Sequence, residues 1–160
     1  MGEVKATGSV ARVEQAAHDA GLAITIVRMP SSTRTADDAA AACGCTPAQI
    51  VKSMIFETMD TKRLILLLVS GAHNANLKKV ATIVGEDLKR SDPNRVRTET
   101  GFAIGGVSPL GHLTPLPVWI DATLLTFDRV WAAAGAPDSV FEVAPAALVA
   151  ATGAQPADLA

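Results

Sequence analysis

Lys52 lies in the run Ile50-Val51-Lys52-Ser53-Met54-Ile55-Phe56, and the two-residue alternation of a strand places it on one face with Ile50, Met54 and Phe56. A charge on an apolar face has three outlets: an anionic partner, water reached along the aliphatic stem, or loss of the proton, because a dry and unpaired ammonium is costly. A lysine near a strand start that snorkels to solvent satisfies the pattern, and so does a lysine that holds an anion or a carbonyl in a cleft. The second candidate is the stretch Thr100-Gly101-Phe102-Ala103-Ile104-Gly105-Gly106-Val107-Ser108-Pro109-Leu110-Gly111. Its paired glycines permit positive φ and close approach of another group, and Ser108-Pro109 fixes the exit, so consecutive amides could face a pocket in the manner of an oxyanion hole. A tight turn is the competing reading.

Other residue types narrow the chemistry. Gly106-Val107-Ser108-Pro109-Leu110 lacks the second glycine of a nucleophile elbow, and Pro109 removes an amide that an oxyanion hole would use, so a serine nucleophile is disfavoured. The glycines give neither G-x-G-x-x-G nor a P-loop. His18, His73 and His112 have no common spacing, and Cys43 and Cys45 cannot complete a four-ligand zinc set alone, so no metal is expected and the thiols read as buried and reduced. Asp121 closes the apolar run Val118-Trp119-Ile120-Asp121. A carboxylate there can accept backbone amides or meet a neighbouring lysine, Lys52 included, or simply form a turn.

Ser9 precedes Val10, Val13, Ala17 and Ala20 at helical spacing, which predicts a helix capped by Ser9 and ended by Gly21. Leu22–Val27 reads as a strand and Met29-Pro30-Ser31-Ser32 as a loop. Thr35 caps a second helix with Asp37 and Asp38 in its first turn and Gly44 beyond its end, and Thr46-Pro47-Ala48-Gln49 carries a capping box. Ile50–Glu57 and Leu64–Val69 form a hairpin across Thr58–Arg63. A helix over Asn76–Val84, a brief helical turn at Asp92-Pro93, a loop with a short strand over Thr100–Pro117, strands at 117–121, 129–134 and 140–143, and a helix over Pro145–Thr152 complete the reading. Tight hairpins without strict βαβ alternation imply an α+β class with a mixed sheet.

With 160 residues, 49% hydrophobic and 19% charged, the chain reads as one domain over residues 1–160 that can pay its ordering entropy. The longest apolar run, Leu64–Val69, is too short for a membrane span, and the first residues lack a secretory core, so a cytoplasmic location is expected. The six aromatic residues, four Phe and two Trp, argue against a platform stacking several bases. The net charge of −2 conceals a basic middle and a tail that has no basic residue beyond Arg129, and such a field can guide a polyanion to one face. Ordinary surface scatter explains the same counts.

Thr35-Ala36, Gly44-Cys45, Gln49-Ile50-Val51-Lys52-Ser53, Leu77-Lys78-Lys79, Thr100-Gly101, Gly105-Gly106-Val107-Ser108-Pro109-Leu110-Gly111 and Ile120-Asp121 together resemble the YbaK/ProX family, the free-standing relatives of the editing domain inserted in bacterial prolyl-tRNA synthetases. The likeness spans about residues 20–150. It implies a mixed, partly barrel-like sheet flanked by helices, hydrolysis of the ester joining a wrong amino acid to tRNA(Pro), and no cofactor. It also implies that Lys52 is central to activity and that the loop Gly105–Pro109, with Gly105, Gly106 and Val107 as backbone donors, lines the aminoacyl pocket. Ser53, Ser108, Pro109 and Asp121 match positions near the site. The loop form is similar to the branch that clears Cys-tRNA(Pro), whereas Thr35 stands where that branch carries a bulkier aromatic. The implied partners are the acceptor end of tRNA(Pro) and prolyl-tRNA synthetase or an elongation factor, with no membrane and no DNA. The alternative is a non-catalytic module that binds tRNA or the synthetase.

Overall fold

The computed structural model describes residues 2–3, 8–29 and 35–160. Its elements in chain order are β1 (Gly2–Glu3), α1 (Gly8–Asp19), β2 (Ile26–Arg28), α2 (Ala36–Cys43), β3 (Ile50–Thr58), β4 (Leu64–Ser70), α3 (Leu77–Val84), β5 (Leu88–Arg90), α4 (Pro93–Thr100), β6 (Val118–Asp121), β7 (Val130–Ala133), β8 (Ser139–Val143), α5 (Pro145–Thr152) and β9 (Gln155–Ala157). The strands form one mixed sheet in the order β1-β2-β8-β7-β3-β4-β6-β9, with β5 added to the outer edge of β3. The α+β class with a mixed sheet is thus what the chain forms.

The sheet is covered on both faces, which explains why β4 is an unbroken apolar run rather than an alternating one. Leu66 and Leu68 pack into a cluster with Val10, Val13 and Ala17 of α1, Val96 of α4 and Leu148 of α5. Ile65, Leu67 and Val69 pack on the opposite face with Val80 of α3, Trp119 and Leu159. Each such side chain contributes about 1.5–3 kcal/mol on burial, so β4 is the axis of the fold.

The caps read from the sequence are largely present. Thr35 Oγ1 accepts from Asp38 N at 3.1 Å, and Gly44 closes α2 at φ 71°. Asn76 caps α3, and Asp92 caps α4, which runs for eight residues rather than one turn. Ser9 differs: it lies inside α1, and its hydroxyl donates to the Gly135 carbonyl at 2.7 Å, tying the helix to the β7–β8 turn. The strand expected over Leu22–Val27 forms instead at Ile26–Arg28, and no strand forms within Thr100–Pro117. Of the expected loop 29–32, residues 30–32 fall outside the described residues.

One feature of the pairing bears directly on the site. Along the edge of β3 opposite β4, β7 pairs with Ile50 and Val51, and β5 pairs with Phe56–Thr58. Between them, Lys52–Ile55 have no strand partner on that edge among the described residues.

Candidate active site

Two clefts open along this bare stretch of β3. The first, about 240 Å³, is bordered by Thr35, Ala36, Lys52, Ser53, Gly105 and Val107, with Trp131 and Ala133 of β7 behind them. The second, about 410 Å³, is bordered by Ser53, Ile55, Arg90, Pro93, Ile104 and Gly105. Ser53, Gly105 and Val107 border both, so the two form one groove with a waist. A larger hollow of about 490 Å³, edged by Asp60, Glu86 and Asp87, shares no residue with either, and its carboxylates repel an anionic ligand.

Lys52 Nζ donates to the carbonyl of His73, and His73 Nδ1 donates to Asp121 Oδ2 at 2.8 Å. Lys52 and Asp121 are therefore linked through His73 and not in direct contact. Burial pushes the Lys52 ammonium down, and the nearby Asp121 carboxylate acts against that shift. Asp121 is 2% exposed. Burial acts to raise its carboxyl, but hydrogen bonds from His73, Thr123 N and Ser70 N outweigh this and hold it below the usual carboxylate range. Its place is behind the groove, where it fixes the Ser70–His73 turn against which Lys52 rests.

The glycine loop divides sharply. Gly106 N–H donates to the Ala103 carbonyl at 3.0 Å, so it is not an available oxyanion donor as the sequence reading had it. Among the described residues, the amides of Gly105 and Val107 have no protein acceptor. Gly105 has φ +94°, a conformation that glycine adopts without strain. Gly106 is required for a different reason: a Cβ there would lie 3.1 Å from Ala136 Cα. Ser108 is fully buried, with Oγ accepting from Leu110 N at 3.1 Å, and Pro109 borders a separate hollow beside His112. Both shape the loop from behind and border neither cleft.

Ser53 Oγ is buried and has no hydrogen-bond partner among the described residues. An orphaned buried hydroxyl is uncommon in a native interior, and this one sits at the waist. Thr35 borders the smaller cleft while its hydroxyl serves as the α2 cap. Cys43 and Cys45 are free and half-buried, and burial pushes the Cys43 thiol up to about 11, so neither is poised as a nucleophile. Sequence reasoning gave no site role to Arg90 or Ile104 and offered His73 only as a candidate base, without its link to Asp121. His73 and Asp121 are 48 residues apart, and only the parallel pairing of β4 with β6 brings their strand ends together.

The aminoacyl-tRNA editing domain profile matches residues 30–151, a span that contains Thr35, Lys52, Ser53, the glycine loop and Asp121. The chain belongs to the aminoacyl-tRNA editing family. A crystal structure described as a candidate trans-editing enzyme for prolyl-tRNA synthetase is 45% identical and superposes with a TM-score of 0.91, covering 97% of this chain and 98% of that one. A scaffold protein used in computational epitope grafting is 42% identical with a TM-score of 0.90, covering 96% of this chain and 98% of that one. The uncharacterised protein YwhH of Bacillus subtilis is 30% identical over 120 residues, covering 75% of this chain and 76% of its own length. These relations support the YbaK/ProX-like character read from the motifs. No described helix of this editing domain is long and apolar enough to cross a membrane.

Proposed function

We propose that the protein is a trans-editing hydrolase that clears a small amino acid, cysteine or one of similar size, from mischarged tRNA(Pro). The observation that carries this reading is the small cleft, where Lys52 shares a border with the unengaged amides of Gly105 and Val107. Its volume of about 240 Å³ lies below the roughly 300–1,000 Å³ of ordinary ligand pockets, which suits a small aminoacyl group. The need for such an enzyme is energetic. A synthetase pocket gains only about 1–3 kcal/mol of discrimination per methylene and cannot by itself reject small competitors.

In the reaction, the Gly105 and Val107 amides receive the oxyanion that develops as the ester carbonyl is attacked. A well-placed donor of this kind is worth about 3–4 kcal/mol. Lys52 anchors the carbonyl end or the terminal phosphate. No side chain in the cleft is an activated nucleophile, so water or a group of the substrate itself attacks. With water as the nucleophile, the ester C–O bond breaks, the ribose oxygen takes a proton, and the amino acid leaves as the acid; where a substrate group attacks first, water must still open the acyl product to give that acid. The reaction takes place in the cytoplasm, with prolyl-tRNA synthetase or an elongation factor delivering the tRNA.

Lys52→Ala is expected to lower the deacylation rate at least 100-fold while leaving the melting temperature within a few degrees. The measurement uses tRNA(Pro) charged separately with Ala, Cys, Ser and 2-aminobutyrate. Unchanged turnover of the best substrate removes Lys52 from the mechanism. Filter binding of tRNA without release of any amino acid selects the non-catalytic binding module instead.

A further inference from the structure

The bare edge of β3 has a defined hydrogen-bonding polarity. The Ile50 carbonyl accepts from Gly71 N, Thr58 N donates to Arg63 O, and Lys62 N donates to Thr58 O. Even-numbered residues of β3 therefore turn their amides and carbonyls toward the β4 side. Met59 N donates to Asp87 O on the other side, and Glu57 pairs there with Lys89. Odd-numbered residues thus face outward, and among them only Ser53 and Ile55 lie in the gap between β7 and β5. Neither has a backbone partner on that edge among the described residues. The Ser53 carbonyl and the Ile55 amide stand side by side as an acceptor and a donor on the border of the 410 Å³ cleft.

We infer that this main-chain pair reads the adenine of the substrate's terminal nucleoside. The inference rests on the deacylase reading above and adds the part of the substrate that the larger cleft holds. Adenine presents on its Watson–Crick edge a donor, N6–H, beside the acceptor N1, the complement of C=O at residue 53 and N–H at residue 55. The ring lies between Ile104, a side chain left 60% exposed at the rim, and the β5 end of the cleft. Arg90 borders the same cleft and has no carboxylate partner among the described residues, so it is placed to meet a phosphate. With the base held there and the amino acid in the smaller cleft, the ribose and its ester fall at the waist, beside Ser53 Oγ and the Gly105 and Val107 amides.

Inosine tests the pairing, because it replaces N6–H by a carbonyl and the neighbouring acceptor by N–H while keeping ring size. The probes are AMP and IMP titrated into ¹⁵N-labelled protein, and 3′-O-alanyl esters of each nucleotide as substrates. The Ile55 amide resonance is expected to move with AMP and not with IMP, and KM for the IMP ester to rise tenfold or more with kcat changed less than threefold. Arg90→Gln is expected to raise KM for both esters alike. Equal hydrolysis of both esters, with no AMP-specific shift at Ile55, overturns the adenine assignment and leaves the deacylase standing. If neither ester nor any misacylated tRNA is hydrolysed, the deacylase reading fails. An AMP-specific Ile55 shift would then still support the edge as an adenine reader, and its absence would overturn that as well.

Discussion

The two ends of the loop between α4 and β6 are built on opposite plans. At its base, Arg12 of α1 spans the loop: Nε donates to the Gly111 carbonyl at 3.0 Å and Nη2 to the Gly101 carbonyl at 2.8 Å. The same guanidinium lies 4.8 Å from the Phe102 ring centroid, and His112 meets that ring edge-on and donates from Nε2 to the Ser108 carbonyl at 2.6 Å. At its tip, Ile104–Val107, the amides of Ile104, Gly105 and Val107 have no protein acceptor among the described residues, and the Ile104 side chain is exposed. A tip anchored by Arg12 and His112 at the base can keep its donors free without ordering them anew when substrate arrives, which is the condition for effective preorganised stabilisation.

The largest way to break this contrast is Arg12→Ala. It strands two carbonyls and exposes an aromatic face. Charge-assisted hydrogen bonds contribute about 1.5–3 kcal/mol each, so a loss of about 3 kcal/mol in urea unfolding is expected together with a fall in deacylation. If the rate is retained while stability drops, the base does not govern the tip. Gly106→Ala acts at the tip's own support by pressing a methyl against the Ala136 backbone. Overpacking of this kind costs about 1–3 kcal/mol, and its signature is a lower kcat with a melting temperature depressed by several degrees.

The pH dependence of the base gives a smaller effect. Burial, more than the Arg12 charge beside it, pushes the His112 imidazole below its ordinary value despite the bond to Ser108. Its proton is therefore bound more readily in the unfolded chain, and stability rises with pH between the depressed value and about 6.5. Acidification from pH 7 to 5 is expected to lower the melting temperature, and His112→Gln to flatten that slope. A slope unchanged by the substitution assigns the effect elsewhere. Ser53→Ala should have the smallest effect on stability, near zero or slightly stabilising, because it deletes a buried hydroxyl that has no partner to lose. A several-fold rise in KM at unchanged stability would show that the hydroxyl serves substrate, and an unchanged KM would show that it does not.

Much of the framework was legible because it is written in side-chain types. Thr35, Asn76, Asp92 and Pro145 start helices, and Gly44, Gly85 and Gly153 end them at positive φ, as their chemistry requires. The strands β5 and β9 were not legible. Leu88-Lys89-Arg90 and Gln155-Pro156-Ala157 have little strand propensity of their own and are recruited by the exposed edges of β3 and β6. At the site, Lys52, Gly105 and Val107 are read from alternation and loop composition and Ser53 from the family resemblance, and the structure brings them to one groove. Ser108 and Asp121 enter the site reading through the resemblance, because a hydroxyl beside paired glycines and a carboxylate at a strand end look alike, from the residues alone, whether they face a ligand or a turn. The gap in β3 pairing left no trace in the sequence, since it depends on which residues β7 and β5 fail to reach.

A strand with a naked margin normally invites a second copy to add itself, and proteins blunt such margins or suffer for them. Here the opening is confined to Lys52–Ile55, stopped at one end by β7 and at the other by β5. Cross-β association draws on segments of about six or seven residues, and a polypeptide entering this notch would have to peel off a flanking strand to find that length. The notch is therefore too short to seat a pairing chain without displacing β7 or β5, which removes the usual hazard of an unpaired strand margin while leaving main-chain groups exposed there.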